Sequence, residues 1–260
     1  MKTLVCCIVK QENLYLRDWI KYYKRLGVDK IVLYDNNDID GEYPQQVIGD
    51  FIEDNFVDYI NARGKYRYQL EAYTDCYSQY KSNYDWLGFF DIDEYVEITG
   101  KQTINEYLGQ DMFSDTYCLP LYWVIYGDNG LLHYDSRPVY DRFLLPNKAD
   151  VSEPTCFKIF LRGRVNVEIE FTDANSIKWL SFEPAPFKIK NTAGDVLAAD
   201  MIYEGTSFDG MYLKHYNTLT IEEFLYRRFG RKSYADRASS FNKNVIIKCY
   251  VICKNRLRDR

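Results

Sequence analysis

Three acids, Asp91, Asp93 and Glu94, end the apolar run in Trp86-Leu-Gly-Phe-Phe-Asp-Ile-Asp-Glu-Tyr95. A short apolar run with polar punctuation reads as a buried strand. Carboxylates placed where such a strand leaves the core are costly unless something positive sits beside them. Side chains alternate along an extended segment, so Asp91 and Asp93 can share one side. Two hard oxygen donors on one side suit Mg²⁺ or Mn²⁺, shared with the phosphates of a nucleotide. The same residues also fit a solvated loop or a helix cap, because Asp-x-Asp recurs by chance.

The elements that would carry these acids alternate between two periods. Residues 4–9 and 30–34 read as buried strands, the second ending in Asp35-Asn-Asn-Asp38. Between them Leu16, Trp19, Ile20 and Tyr23 follow helical spacing, with Asn13 as the expected cap and Gly27 as the stop. Pro44 suits the first turn of a second helix that turns Val47, Ile48, Phe51 and Ile52 inward. A strand over 56–60, a helix over 67–80 and the strand over 86–90 follow. Strands separated by helices imply a parallel sheet with right-handed crossovers, in which ligands sit at the carboxyl ends of the strands. Beyond Glu97 the pattern becomes irregular, with expected strands over 118–124, 157–161, 165–169 and 211–216. Thr220-Ile-Glu-Glu223 is a capping box for a helix through Phe229. The fold class expected is α/β, with a mainly parallel central sheet and a more irregular second half.

The chain has 260 residues, enough for one large domain, and 25 tyrosines. Tyrosine suits sugar-stacking surfaces, and it also suits any half-buried wall. The seven scattered cysteines exclude a disulfide framework or zinc ribbon and point to a reducing cytosol. The opening apolar run is too short for a signal-peptide core, and no stretch approaches a membrane span. The formal charge of −5 is uneven, since residues 227–260 hold eleven Lys/Arg against two Asp/Glu. That segment reads either as a solvated face or as a basic contact for an anionic membrane surface; no motif supports nucleic acid. The expected division is 1–230 and a basic segment 231–260, in a cytoplasmic protein with peripheral contact at the inner face of the plasma membrane.

Several segments join the acidic motif: Glu12-Asn13, Val32-Leu-Tyr-Asp-Asn36, Gln69 with Ala72 and Asp75, Trp123-Val-Ile-Tyr-Gly127, Phe157-Lys-Ile159, Lys214-His-Tyr216 and Arg228-Phe-Gly230. Together they resemble the glycosyltransferases of the family 2 and family 92 type, which have the GT-A fold. The resemblance runs from residue 1 to about 235. It implies transfer of a sugar from a nucleotide-sugar, a UDP-sugar by preference, to a saccharide or lipid-linked saccharide in cell-surface polysaccharide or lipopolysaccharide synthesis, with inversion. It implies Asp91, Asp93 and His215 as ligands of Mn²⁺ or Mg²⁺ on the diphosphate. A ligating imidazole must be neutral, so activity would fall as pH drops through the His215 pKa. Asp35 matches a uridine or ribose contact, with Glu12, Gln69 and Asp75 on the same wall. Lys158 matches a phosphate or acceptor contact, in a run reading Lys-Ile-Phe-Leu-Arg162 where the family has a Lys-Ser-Ile-Val-Arg-like stretch.

A carboxylate must take the acceptor proton, and Asp128 in Gly127-Asp-Asn-Gly130 is the first choice, although Asp-Asn-Gly is equally strong turn chemistry. Tyr122, Trp123 and Tyr126 would stack on the acceptor sugar or pack the core. Two rivals remain: a non-catalytic carbohydrate-binding module, and a glycosidase working through two carboxylates. The first leaves the strand-end acids unexplained. The second needs acids on opposite sides of a bond, and Asp91 and Asp93 are too close in sequence for that.

Overall fold

The computed structural model describes residues 1–100, 102–146, 156–174, 176–182, 188–198 and 207–225. The basic segment 231–260, Arg228-Phe-Gly230 and the expected helix continuation to Phe229 lie outside the described residues. Among the described residues there is one ten-stranded sheet and one two-stranded ribbon.

The first half is doubly wound. β1 (Thr3–Val9), β2 (Lys30–Asp35), β3 (Val57–Asn61) and β4 (Trp86–Phe89) are parallel, in the order β3-β2-β1-β4. α1 (Asn13–Leu26) and α2 (Gln45–Glu53) join the strands on one side of β1, and α3 (Gln69–Tyr80) returns the chain to the other. Strand alternation splits the core accordingly. Val5, Cys7, Ile31 and Leu33 meet Trp19, Ile20, Ile48 and Phe51, whereas Leu4, Cys6, Val32 and Tyr34 meet Ala72, Tyr73, Cys76 and Tyr77. The direction of winding therefore reverses between β1 and β4, where open α/β sheets form their ligand crevice.

β5 (Glu94–Ile98) follows the acidic motif directly, then α4 (Ile104–Leu108), a 3-10 turn over Asp111–Phe113 and β6 (Thr116–Ile125). The short α5 (Val139–Arg142) precedes β7 (Phe157–Arg162), which runs antiparallel between β4 and β6. β8 (Val167–Asp173) and β9 (Ser176–Phe182) form the ribbon, and β8 packs on α3. β10 (Lys188–Lys190) and β11 (Val196–Leu197) extend the edge beyond β6. β12 (Met211–His215) lies between β6, which it joins in parallel, and β5, which it joins antiparallel; α6 (Ile221–Leu225) ends the described chain.

The expected α/β class with a mainly parallel centre is the class observed. Two local expectations are corrected. Asn13 begins α1 rather than capping it, and its side-chain amide donates to the Tyr43 carbonyl. The ribbon strand begins at Val167, because Gly163 and Arg164 turn back onto Lys81 and Asp85. β5, β9, β10 and β11 answer to no expected strand. Cys6, Cys7, Cys76, Cys118 and Cys156 form no disulfide, and no helix among the described residues is long and apolar enough to cross a membrane.

Candidate active site

The acidic motif is held from both ends. The Glu94 carboxylate accepts the Asp91 backbone N–H at 2.7 Å, and the Asp91 carbonyl accepts the Glu94 N–H at 3.1 Å, closing a turn around Ile92 and Asp93. Two aromatic residues on the buried face of α1 then fix the turn: Trp19 Nε1 and the Tyr23 hydroxyl both donate to the Glu94 carbonyl, at 2.9 and 3.0 Å. β5 leaves from there and pairs with β12 so that His215 stands opposite Glu94. The Tyr216 N–H donates to the Asp93 carbonyl at 2.9 Å, which brings residues more than a hundred positions apart to one place. β7 contributes from the opposite direction. Its Ile159 pairs with Phe89, so Lys158 falls just beyond the end of β4, beside Asp91.

The positive charge that the acids require is thus part of the chain. Lys158 Nζ lies 2.9 Å from Asp91 Oδ2 and 3.9 Å from Glu94 Oε2, with its side chain 3% exposed. Burial works against its charge, but Asp91 and Glu94 outweigh that and hold the ammonium above the ordinary lysine range. Gln69 and Tyr73, both on α3, donate to the other Asp91 oxygen at 3.1 and 3.3 Å. Glu94 is fully buried, and burial pushes its carboxyl up to about 8, with Lys158 opposing. His215 Nε2 faces Asp93 Oδ1 at 3.6 Å. Burial disfavours the imidazolium, yet Asp93, with Glu94 and Asp91, holds its pKa above the ordinary value. Trp123 braces the imidazole, ring centroid to ring centroid 4.0 Å, and the Trp123 position pairs with Leu213, two residues before His215.

The structure therefore gathers Asp91, Asp93, Gln69, Lys158, His215 and Trp123 at the carboxyl ends of β4, β6 and β12. The remaining residues singled out from sequence are placed otherwise. Asp35 is wholly buried, and its oxygens accept from Tyr59 at 2.6 Å, from Arg63 at 2.8 Å and from the Asn37 backbone and side chain. Asp75 accepts from the Tyr34 hydroxyl at 2.7 Å and from Gln79. Glu12 precedes α1, where its carbonyl accepts the N–H groups of Tyr15 and Leu16. Tyr126 is buried against Tyr216, 5.2 Å between ring centroids. Tyr122 packs on Phe157 in the core. Asp128 makes the turn that its sequence allowed: Oδ1 accepts the Gly130 N–H at 2.9 Å, with Asn129 and Gly130 both left-handed. Among the described residues no three His, Cys, Asp or Glu side chains converge closely enough to hold a metal as they stand.

Sequence reasoning did not anticipate Tyr73, Arg63 or the pairing of Lys158 with the acids. The apolar spacing of Glu94-Tyr-Val-Glu-Ile98 was the one available signal for β5, and hence for the route that carries His215 to Asp93.

An acid cluster with its own lysine thus lies at the winding switch of a mixed α/β sheet, the place where open α/β sheets bind ligands. Residues 2–158 match the profile of Glycosyltransferase family 92, and the chain belongs to that family. Among curated proteins it is similar to the glycosyltransferase family 92 protein Os08g0121900 of Oryza sativa subsp. japonica, 32% identical over 104 residues, which are 40% of this chain and 18% of that one. A Ricinus communis family 92 protein, RCOM_0530710, is 29% identical over 110 residues, covering 42% and 18%. The chain thus spans about a fifth of the length of the curated relatives it matches. Among solved structures, S. aureus TarS 1–349 in complex with UDP aligns with a TM-score of 0.39 at 14% identity, over 62% of this chain and 47% of that one. The galactosyltransferase LgtC, in complex with donor and acceptor sugar analogs, aligns with a TM-score of 0.32 at 8% identity, over 62% and 58%.

Proposed function

We propose that this chain carries a GT-A-type catalytic domain that transfers a sugar from a UDP-sugar to a saccharide hydroxyl. The single observation behind this reading is the cluster at the end of β4, in a chain of family 92: Asp91 on Lys158, and Asp93 on His215. The donor chemistry of Asp91, Asp93 and His215 fits Mn²⁺ or Mg²⁺. Asp93 and His215 already face one another, and Asp91 is engaged by Lys158. These three residues would hold the ion, which when bound supplies positive charge to a diphosphate leaving group. The chain's own part is positional. Gln69 and Tyr73 orient Asp91, Trp123 fixes the imidazole plane, and the Lys158 ammonium offers a second cation near the developing negative charge. Asp128 is the carboxylate proposed to accept the proton of the acceptor hydroxyl.

The test is a screen of UDP-sugars with Mn²⁺ for UDP release, run with and without EDTA. Release that stops with EDTA supports the reading. Release that EDTA leaves unchanged removes the cation from it, and no release with any UDP-sugar, with or without added saccharide, removes the UDP-sugar transferase.

A further inference from the structure

Lys158 has two carboxylates within reach and uses one. Its Nζ is 2.9 Å from Asp91 Oδ2, within hydrogen-bond distance, and 3.9 Å from Glu94 Oε2, about one ångström too far for a bond. The two acids differ in exposure. The Asp91 side chain is 37% exposed, whereas Glu94 is fully buried. They also differ in how fully they are used. The oxygens of Asp91 take Gln69, Tyr73 and Lys158. Glu94 uses only Oε2, on the Asp91 N–H, and its buried Oε1 has no hydrogen-bond partner. A buried acceptor without a donor is costly, and so is a buried ammonium that loses its partner. A ligand that draws Asp91 away from Lys158 would create the second cost, unless the lysine had another acceptor close by that needs a donor. The Glu94 carboxylate is such a group: its Oε2 is the oxygen 3.9 Å from the lysine, and its Oε1 is the one without a donor.

Resting on the transferase reading above, we propose that Glu94 is a positioning residue that receives the Lys158 ammonium when Asp91 turns to a bound cation. The lysine changes carboxylate without leaving the buried cluster. Asp91 becomes available to the ion, and the charge of Lys158 stays beside the site. Glu94 keeps its hold on the Asp91 N–H throughout, so the turn that presents Asp91 and Asp93 does not open.

Glutamine is the informative replacement. Its single oxygen can accept the Asp91 N–H as Glu94 does, and its other end then presents N–H donors to an ammonium. Mn²⁺ affinity in the presence of UDP, read by electron paramagnetic resonance of free Mn²⁺, should weaken about tenfold in Glu94→Gln, the size seen for residues that support metal ligands. In a Lys158→Met background there is no ammonium to receive, and adding Glu94→Gln should change Mn²⁺ affinity less than about twofold. Equal weakening in both backgrounds would show that Glu94 supports the turn alone and would overturn the exchange. A wild-type crystal structure with UDP and Mn²⁺ decides the matter without any variant. Lys158 Nζ should lie about 3 Å from Glu94 and beyond bonding distance of Asp91. If Lys158 remains on Asp91 while the ion is bound, the exchange is wrong although the transferase reading stands. If wild-type protein with UDP binds no Mn²⁺, the cation reading fails and the exchange falls with it.

Discussion

Asp91 and Asp93 are equivalent in the motif and different in the molecule. Asp91 is tied to Lys158, Gln69 and Tyr73, whereas Asp93 meets the imidazole of His215. Removing the Asp93 carboxylate therefore takes a proposed cation ligand without releasing a buried lysine. Asp93→Asn should lower UDP release by about 100-fold or more, and His215→Ala should do likewise. Unchanged melting temperatures would separate this loss from misfolding, and turnover at the wild-type rate in either variant would show the assignment to be wrong. Asp128 allows a cleaner separation of roles. In Asp128→Asn the amide oxygen can still accept the Gly130 N–H, so the turn survives, but the group no longer takes a proton. As the base it should lose about 10²- to 10⁴-fold in turnover, measured at saturating donor and acceptor. Wild-type turnover in Asp128→Asn would leave Asp128 as a turn residue only.

At the scale of elements, packing decides what presents the site. Gly88 lies in β4, and a Cβ there would come 2.4 Å from the Phe160 ring and 2.6 Å from the Phe90 ring. Gly88→Ala should cost about 1–3 kcal/mol, read from the denaturation midpoint, because both rings are buried and cannot both yield. α6 is fastened by a buried ion pair. Arg142 donates twice to Glu223, at 2.9 Å each, and Tyr15 donates to the same carboxylate. Burial pushes the Glu223 pKa up, but Arg142 and Thr220 outweigh it and hold the group below its usual range. Glu223→Gln leaves Arg142 buried without its counter-charge and should cost about 3–5 kcal/mol near neutral pH. A depressed folded-state pKa gives stability that is full above the unfolded value, about 4.3, and is lost as pH falls through the folded one. The wild-type advantage over Glu223→Gln in urea denaturation should therefore shrink below about pH 4. The capping box of α6 was legible because Thr220 and Glu223 are local, and so were α1 and α2, whose apolar residues follow one period. β5 was not legible, since five residues after a turn carry little periodic signal. Lys158 was named, but its place beside Asp91 depends on an antiparallel strand entering between β4 and β6.

At the scale of the whole molecule, the parallel half and its winding switch were readable from the alternation of periods, because continuous apolar runs there alternate with helices whose buried residues keep helical spacing. The second half was readable in part, as β6, β7, β8 and β12 but not as β5, β9, β10 or β11, and not as neighbours, because register and partner choice are set by contacts far apart in sequence. Two readings separate at this scale: a nucleotide bound at the cluster, or free glycans bound by a chain with 25 tyrosines. Ligand-linked stability distinguishes them. A ligand that binds only the folded state stabilises by RT ln(1 + [L]/Kd), about 2.7 kcal/mol at one hundred times Kd. For a chain of this size that is a rise in Tm of about 5–10 °C. UDP with Mn²⁺ should produce this rise, UDP with EDTA should produce less, and Asp93→Asn should remove the part that depends on Mn²⁺. The comparison tests the cluster, because Asp91, Asp93, Lys158 and His215 are the groups proposed to meet the charges of a nucleotide diphosphate and its cation. A Tm that responds to free saccharides and stays flat with UDP and Mn²⁺ would instead mark the domain as a carbohydrate-binding module.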